Sequence, residues 1–135
     1  MTNAGPIAYL TGDYPKISHT FILREVQQLR ARGVEVIPCS IRRPAPADLP
    51  GREEQDEVAR TFYVKAAAKN PLRTLAAHGR ALRRSPATWA KTLALAIRMR
   101  SPGLKALIWQ LFYFLEAGVL ADHLRRNKVQ HLHNH

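Results

Sequence analysis

The pattern that most constrains this chain lies in residues 6–41, where two short apolar runs flank one amphipathic stretch. Pro6-Ile7-Ala8-Tyr9-Leu10-Thr11 reads as a short strand buried on both faces, as in a parallel sheet. Thr11-Gly12-Asp13-Tyr14-Pro15 has turn chemistry. Ser18 or Thr20 then offers an N-cap oxygen for a helix with the apolar stripe Phe21, Ile22, Val26 and Leu29. Gly33 stands where a C′ glycine belongs, and Val34-Glu35-Val36-Ile37 resumes as a strand. Pro38 cannot donate to a ladder, which predicts an edge strand or an early end. Strand, helix and strand in this order imply a right-handed βαβ crossover, the start of an α/β domain.

Beyond residue 41 the pattern changes. Residues 42–51 read as a loop, followed by an acidic patch of Glu53, Glu54, Asp56 and Glu57. Thr61-Phe62-Tyr63-Val64 suits a third short strand. Asn70-Pro71, Ser85-Pro86 and Ser101-Pro102 each pair a capping residue with a proline suited to the first helical position, predicting three helices. The first would line one face with Leu72, Leu75, Ala76, Gly79 and Leu82, the second with Trp89, Leu93, Ala96 and Ile97. The third runs from about Leu104 to Asn127 with the stripe Leu104, Leu107, Ile108, Leu111, Leu115 and Val119. Lys105, Gln110, Glu116, Asp122 and His123 interrupt it, whereas a membrane span needs about 20 mostly apolar residues. A buried or surface-seeking helix is therefore expected. Residues 129–134 read as a final strand.

Composition narrows the function. The chain has 135 residues, at most one domain, and its 46% hydrophobic content excludes compositional disorder. The lone Cys39 excludes an internal disulfide framework, fits a reducing compartment and has no base near it in sequence, so it reads as structural. The amino terminus lacks the basic segment and long apolar run of a signal peptide. The net charge of +11 is confined to one stretch: residues 58–115 carry 11 basic side chains and no acidic one. Its partner should be anionic: nucleic acid, a lipid surface or a phosphorylated substrate. No nucleic-acid recognition motif is present, and Arg73, Arg80, Arg83 and Arg84 beside Leu72, Leu75 and Leu82 fit an interfacial helix better.

Two segments can carry chemistry. The loop over residues 11–20 sits at the carboxyl end of the first strand, where helix N–H groups are open to a ligand. Gly12 permits close backbone approach, and Ser18, His19 and Thr20 are polar at the helix start, yet an ordinary capped turn has the same composition. His131, His133 and His135 alternate, so on a strand they share a face. That arrangement suits a metal site or an acid–base and hydrogen-bonding cluster, and no matching acidic or thiol ligand set is evident in sequence.

Tyr14-Pro15-Lys16-Ile17-Ser18-His19-Thr20-Phe21-Ile22, then Glu25, Leu29, Gly33 and Val36, and finally His133-Asn134-His135, resemble glycosyltransferase family 4. The likeness is strongest to the branch that builds colanic acid and other bacterial exopolysaccharides, and it spans essentially the whole chain. The resemblance implies an α/β fold, an incomplete Rossmann-like N-terminal domain of a GT-B glycosyltransferase with a basic helical insertion at about residues 70–127. The chain would be the acceptor-side part, with the C-terminal donor domain absent and the fragment alone inactive. The implied activity is transfer of a sugar, with retention, from a nucleotide sugar to a saccharide or lipid-linked acceptor, usually without a metal ion or other cofactor.

By the same resemblance His133 is the catalytic-side histidine, hydrogen-bonding sugar near the reacting centre, and His135 its substrate-binding partner. Gly12, Ser18, His19 and Thr20 fall in the acceptor-side loop. His19 stands where the branch usually has glutamate, and the doubled glycine of many members is missing after strand one. Residues 58–115 would hold the enzyme peripherally at the cytoplasmic face of the inner membrane, at about 1 kcal/mol per basic residue near anionic lipid. The alternatives are a basic nucleic-acid- or membrane-binding module without catalysis, or a metal-dependent hydrolase using the three histidines.

Overall fold

Strand β1 (Ile7–Asp13) is paired on both sides, parallel to β2 (Val36–Arg42) and parallel to β4 (His131–Asn134). A two-residue β3 (Phe62–Tyr63) extends the sheet beyond β2, giving the order β3-β2-β1-β4. The structure, a computed structural model, describes residues 5–135. Residues 1–4, part of the segment that bears on the signal-peptide expectation, lie outside the described residues. The helices are α1 (Thr20–Ala31), α2 (Arg52–Arg60), α3 (Val64–Ala68), α4 (Pro71–Arg84), α5 (Pro86–Arg98) and α6 (Leu104–Arg126). Among the described residues the fold is thus α/β, with a four-stranded parallel sheet and six α-helices. The described chain separates into two compact units: one runs up to Ala66 and resumes at Leu124–His135, the other is Ala67–His123.

In the sheet-bearing unit, side-chain alternation puts Ile7, Tyr9 and Thr11 on one face of β1, in register with Val36, Pro38 and Ser40 of β2. Helix α1 covers this face. Ile22, Leu23 and Val26 join Tyr9, Tyr14 and Val36 in one buried cluster, with Ile7, Leu29 and Val34 packed against it. Phe21, expected in the stripe, falls on its flank and is 58% exposed. Neither Ser18 nor Thr20 caps α1. A 3-10 turn over Ile17–His19 runs straight into the helix, so Thr20 already lies inside its first turn and His19 occupies the N-cap position. Gly33 ends the helix as expected, with φ +84°. Its N–H donates to Arg30 O and that of Val34 to Leu29 O, both at 3.0 Å, the paired bonds of a Schellman cap.

Strand β2 departs from expectation at Pro38, which is neither on an edge strand nor at a strand end. The bond from Ile7 N–H to Glu35 O sets the alternation: odd residues of β2 turn their backbone groups toward β1, and even ones toward β3. Pro38 therefore faces the β3 side, and β3 pairs only with Cys39 and Ser40. The missing N–H falls where no partner strand runs. Strand β1 also outlasts its predicted end, taking in Gly12 and Asp13 instead of turning there. Helix α2, where only an acidic patch was read, is held by its buried Glu57. Arg30 of α1 donates to both Glu57 oxygens at 2.8 and 2.9 Å. Breaking such a pair costs about 3–5 kcal/mol when both ions are fully buried. The Arg30 side chain is 22% exposed, which puts this pair below that range.

The helical unit is organised around His78. Trp89 Nε1–H donates to His78 Nδ1 at 3.0 Å, so His78 carries its proton on Nε2 and donates it to Leu115 O at 3.1 Å. The Phe114 ring packs against both His78 and Trp89. Arg80 donates two hydrogen bonds to Asp122, at 2.8 and 2.7 Å, tying α4 to the carboxyl half of α6. Asn70 and Ser85 cap α4 and α5 through side-chain oxygens, with Pro71 and Pro86 in the first turn, as predicted. Ser101-Pro102 does not open α6, which starts at Leu104 after Gly103 at φ +112°. The face of α4 lined by Leu72, Leu75 and Leu82 lies outward, and a different face is buried. Thr74, Ala77 and His78 are buried, while Leu72 and Leu75 are 76% and 69% exposed. Helix α6 is long and apolar enough to cross a membrane by length and composition, and only Phe114 and Val119 are buried along it.

A Cβ on Gly118 would run into the His78 imidazole, whereas one on Gly79 would meet nothing within 4 Å. Gly118→Ala should therefore lower unfolding stability by about 1–3 kcal/mol through overpacking. Gly79→Ala should raise it by up to about 1 kcal/mol through helix propensity. Urea denaturation of the two variants checks this opposition of sign.

Candidate functional site

The pairing of β4 on β1 sets Tyr9 beside His133 in register. Side chains in register on neighbouring strands touch when both point to the same face. The Tyr9 and His133 rings meet edge-on at 5.0 Å. His135, just past β4, donates its N–H to Leu10 O at 2.9 Å and lays its imidazole parallel to Tyr9 at 5.4 Å. The His133 and His135 rings are 4.5 Å apart. Tyr9 O–H donates to Glu25 Oε1 of α1 at 2.5 Å, and Glu25 Oε2 lies 3.9 Å from His135 Nε2. Phe21 closes the flank, edge-on to His135 at 6.3 Å and to His19 at 6.0 Å. His19 Nδ1 is buried without a hydrogen-bond partner.

The sequence-predicted residues divide accordingly. His133 and His135 are brought together, and His19 reaches the group through Phe21. Ser18 and Thr20 stand exposed at the start of α1. Gly12 alternates onto the face of β1 opposite Tyr9, and a Cβ there would come no closer than 3.8 Å to the Arg42 side chain. No close backbone approach requires glycine at that position. Beside it, Asp13 pairs with Arg42 at 3.4 Å and with Lys16 at 3.8 Å. His131 stands outside the closest group, its ring 6.4 Å from that of His133.

Sequence reasoning missed Tyr9 and Phe21 as site residues and gave Glu25 no role. Glu25 follows Ile22 by three residues and so borders the apolar stripe packed on the sheet. That position can carry a carboxylate to the rim of the core. Tyr9 was assigned to a buried strand, where its phenol needs a polar partner at one end.

Burial first, then the hydrogen bond to Glu25 and its charge, push the Tyr9 hydroxyl up to about 12. Tyr9 therefore remains a donor at neutral pH and holds one oxygen of Glu25, leaving the other toward His135. Two imidazoles and a carboxylate oxygen converge here, and the ligand atoms of Glu25, His133 and His135 lie within 4.8 Å of one another. The group can hydrogen-bond hydroxyls, shuttle a proton or close around one cation. Ligand atoms at ordinary zinc distances sit ~3.4 Å apart, so metal binding needs a contraction of the cluster. Neither of the other two readings needs one.

No protein-family model, curated protein or solved structure matches the chain.

The raised pKa of Tyr9 gives a pH dependence with a definite sign. The folded state holds the phenol proton more tightly than the unfolded chain, whose tyrosine titrates near the ordinary value of about 10. The stability linked to Tyr9 is complete below that value and is lost as pH rises toward about 12. Buried Cys39, also pushed up to about 12 by burial, adds to the loss from about pH 9 upward. Tyr9→Phe should flatten the fall in denaturation midpoint above pH 10 while Cys39→Ala flattens its onset; identical profiles for wild type and Tyr9→Phe would remove Tyr9 from this linkage.

Proposed function

We propose that this chain forms the acceptor side of a sugar-transfer site, in the manner of the N-terminal Rossmann-like domain of a GT-B glycosyltransferase. The observation that carries the reading is the convergence of Tyr9, Glu25, His133 and His135 beside the β1–β4 junction. There the strand order turns back on itself, and ligands of open parallel sheets bind outside the carboxyl ends of strands at such a reversal. The resemblance in residues 14–36 and in His133-Asn134-His135 points to the same reaction class.

In this reading His133 donates or accepts a hydrogen bond at the sugar hydroxyl nearest the reacting centre, and His135 holds a neighbouring hydroxyl. Glu25 orients His135 and is itself fixed by Tyr9. The exposed ring of Phe21 offers an apolar face to the C–H side of a sugar. The donor is a nucleotide sugar, gripped by a second domain in enzymes of this architecture, and no further cofactor is required. A nucleotide-sugar donor supports a cytoplasmic location, where such donors are available.

Titration of the 135-residue chain with an oligosaccharide acceptor, followed by the imidazole resonances, should shift His133 and His135. Titration with a nucleotide sugar should show no tight binding. Unmoved imidazoles, or micromolar donor binding by this chain alone, would contradict the assignment. In an active transferase containing this chain, His133→Ala should lower turnover by about 10²-fold or more, the scale of a lost general acid–base contact.

A second reading, metal-assisted hydrolysis, is favoured by one observation: Glu25 supplies the acidic ligand that the sequence did not show beside the histidines. Its ligand set is Glu25, His133 and His135, with His131 excluded. Metal analysis of protein purified without chelator decides between the readings: stoichiometric zinc that disappears in Glu25→Gln favours hydrolysis, and metal-free protein favours sugar transfer.

A further inference from the structure

We propose that the helical unit docks on an anionic phospholipid bilayer through the leucine face of α4 and the amino-terminal half of α6. The observation is an amphipathic helix mounted in reverse. His78, held from two sides by Trp89 and Leu115 O, fixes the rotation of α4 so that Thr74, Ala77 and His78 point inward. Leu72, Leu75 and Leu82 are left on the outside. A helix that faces solvent with its leucines and its own unit with a threonine and a histidine leaves its most apolar face without a partner.

Helix α6 repeats the arrangement. Leu104, Ile108, Leu111 and Leu115 follow the helical period and all are exposed, with Trp109 and Tyr113 ring-to-ring at 6.1 Å alongside. Leu104, Ile108 and Leu111 precede the segment that packs on α4, which begins at Phe114 and Leu115. Gly118 lies against His78 and Asp122 is bonded to Arg80, so the carboxyl half of α6 is committed to the helical unit. That commitment, with Glu116 and Asp122 in the helix, sets α6 on the membrane surface instead of across it.

The charge selects the occupant. Residues 67–123 contain nine basic side chains and two acidic ones, and one of the acids, Asp122, is already bonded to Arg80. Arg73, Arg83 and Arg84 flank the exposed leucines of α4, and Lys105 stands at the start of α6. Apolar side chains interleaved with cations match the two layers of an anionic bilayer interface, acyl boundary and headgroup phosphate. Duplex nucleic acid would engage the cations and leave the leucines in water. The proposal does not depend on the sugar-transfer reading, which concerns the other unit.

The test is flotation of the full chain with phosphatidylcholine vesicles, with and without about one-third phosphatidylglycerol. The expected result is binding roughly tenfold or more tighter to the anionic vesicles, weakening as salt rises, with a blue shift in tryptophan emission that Trp109→Phe abolishes. Leu72→Asp/Leu75→Asp should lose binding while keeping the wild-type circular dichroism and denaturation midpoint, since both side chains are exposed. Arg83→Glu should weaken binding in the same direction. Equal binding to neutral vesicles overturns the proposal. So does full binding by the double leucine variant, or duplex DNA binding with no vesicle binding. Self-association that the double leucine variant abolishes, without vesicle binding, would assign the face to a second copy of the chain.

Discussion

The site depends on one interaction, the parallel pairing of β4 with β1. Residues 64–130 separate β3 from β4, and most of them belong to a separate compact unit. The chain nevertheless returns to the far edge of β1 and locks there, Gln130 N–H to Pro6 O at 3.0 Å and His135 N–H to Leu10 O at 2.9 Å. Closing so long an excursion costs little more entropy than a shorter one, because loop closure grows only logarithmically with length. What the closure delivers is register. A slip of one residue would turn the histidines to the opposite face, away from Tyr9 and Glu25.

The same strand anchors the core. Tyr9 belongs both to the cluster under α1 and to the candidate site, so the packing that stabilises the unit also holds the phenol. The buried polar groups divide the remaining work. Arg30 and Glu57 fasten α2, a helix with almost no apolar residues of its own, to α1. His78, Trp89 and the Leu115 carbonyl fix how α4 is rotated. In both units a polar contact, not a hydrophobic stripe, decides which way a helix faces.

That division explains what could be read from sequence. The βαβ start, the Gly33 stop, the Asn70 and Ser85 caps and the strand carrying the histidines all rest on local chemistry, and local chemistry is legible. Helix α2 was invisible because its stabilising contact is an ion pair with Arg30, twenty-seven residues away. That Thr74, Ala77 and His78 make the buried face of α4 was illegible for the same kind of reason: bonds from Trp89 and to Leu115 set it. Pro38 argued against an interior strand, and only the short reach of β3 makes it harmless. Of the site, the histidines were legible from their spacing. Tyr9, Glu25 and Phe21 were not, because their proximity arises from strand register and from the seating of α1 on the sheet.

The central claim is that β4 seats His133 and His135 against Tyr9 to make one site. Nuclear Overhauser contacts between ring protons test it most directly, since they require the three rings to be adjacent in solution. The account predicts cross-peaks from the Tyr9 ring to both imidazoles. Imidazole signals at random-coil positions with no contact to Tyr9 would contradict it.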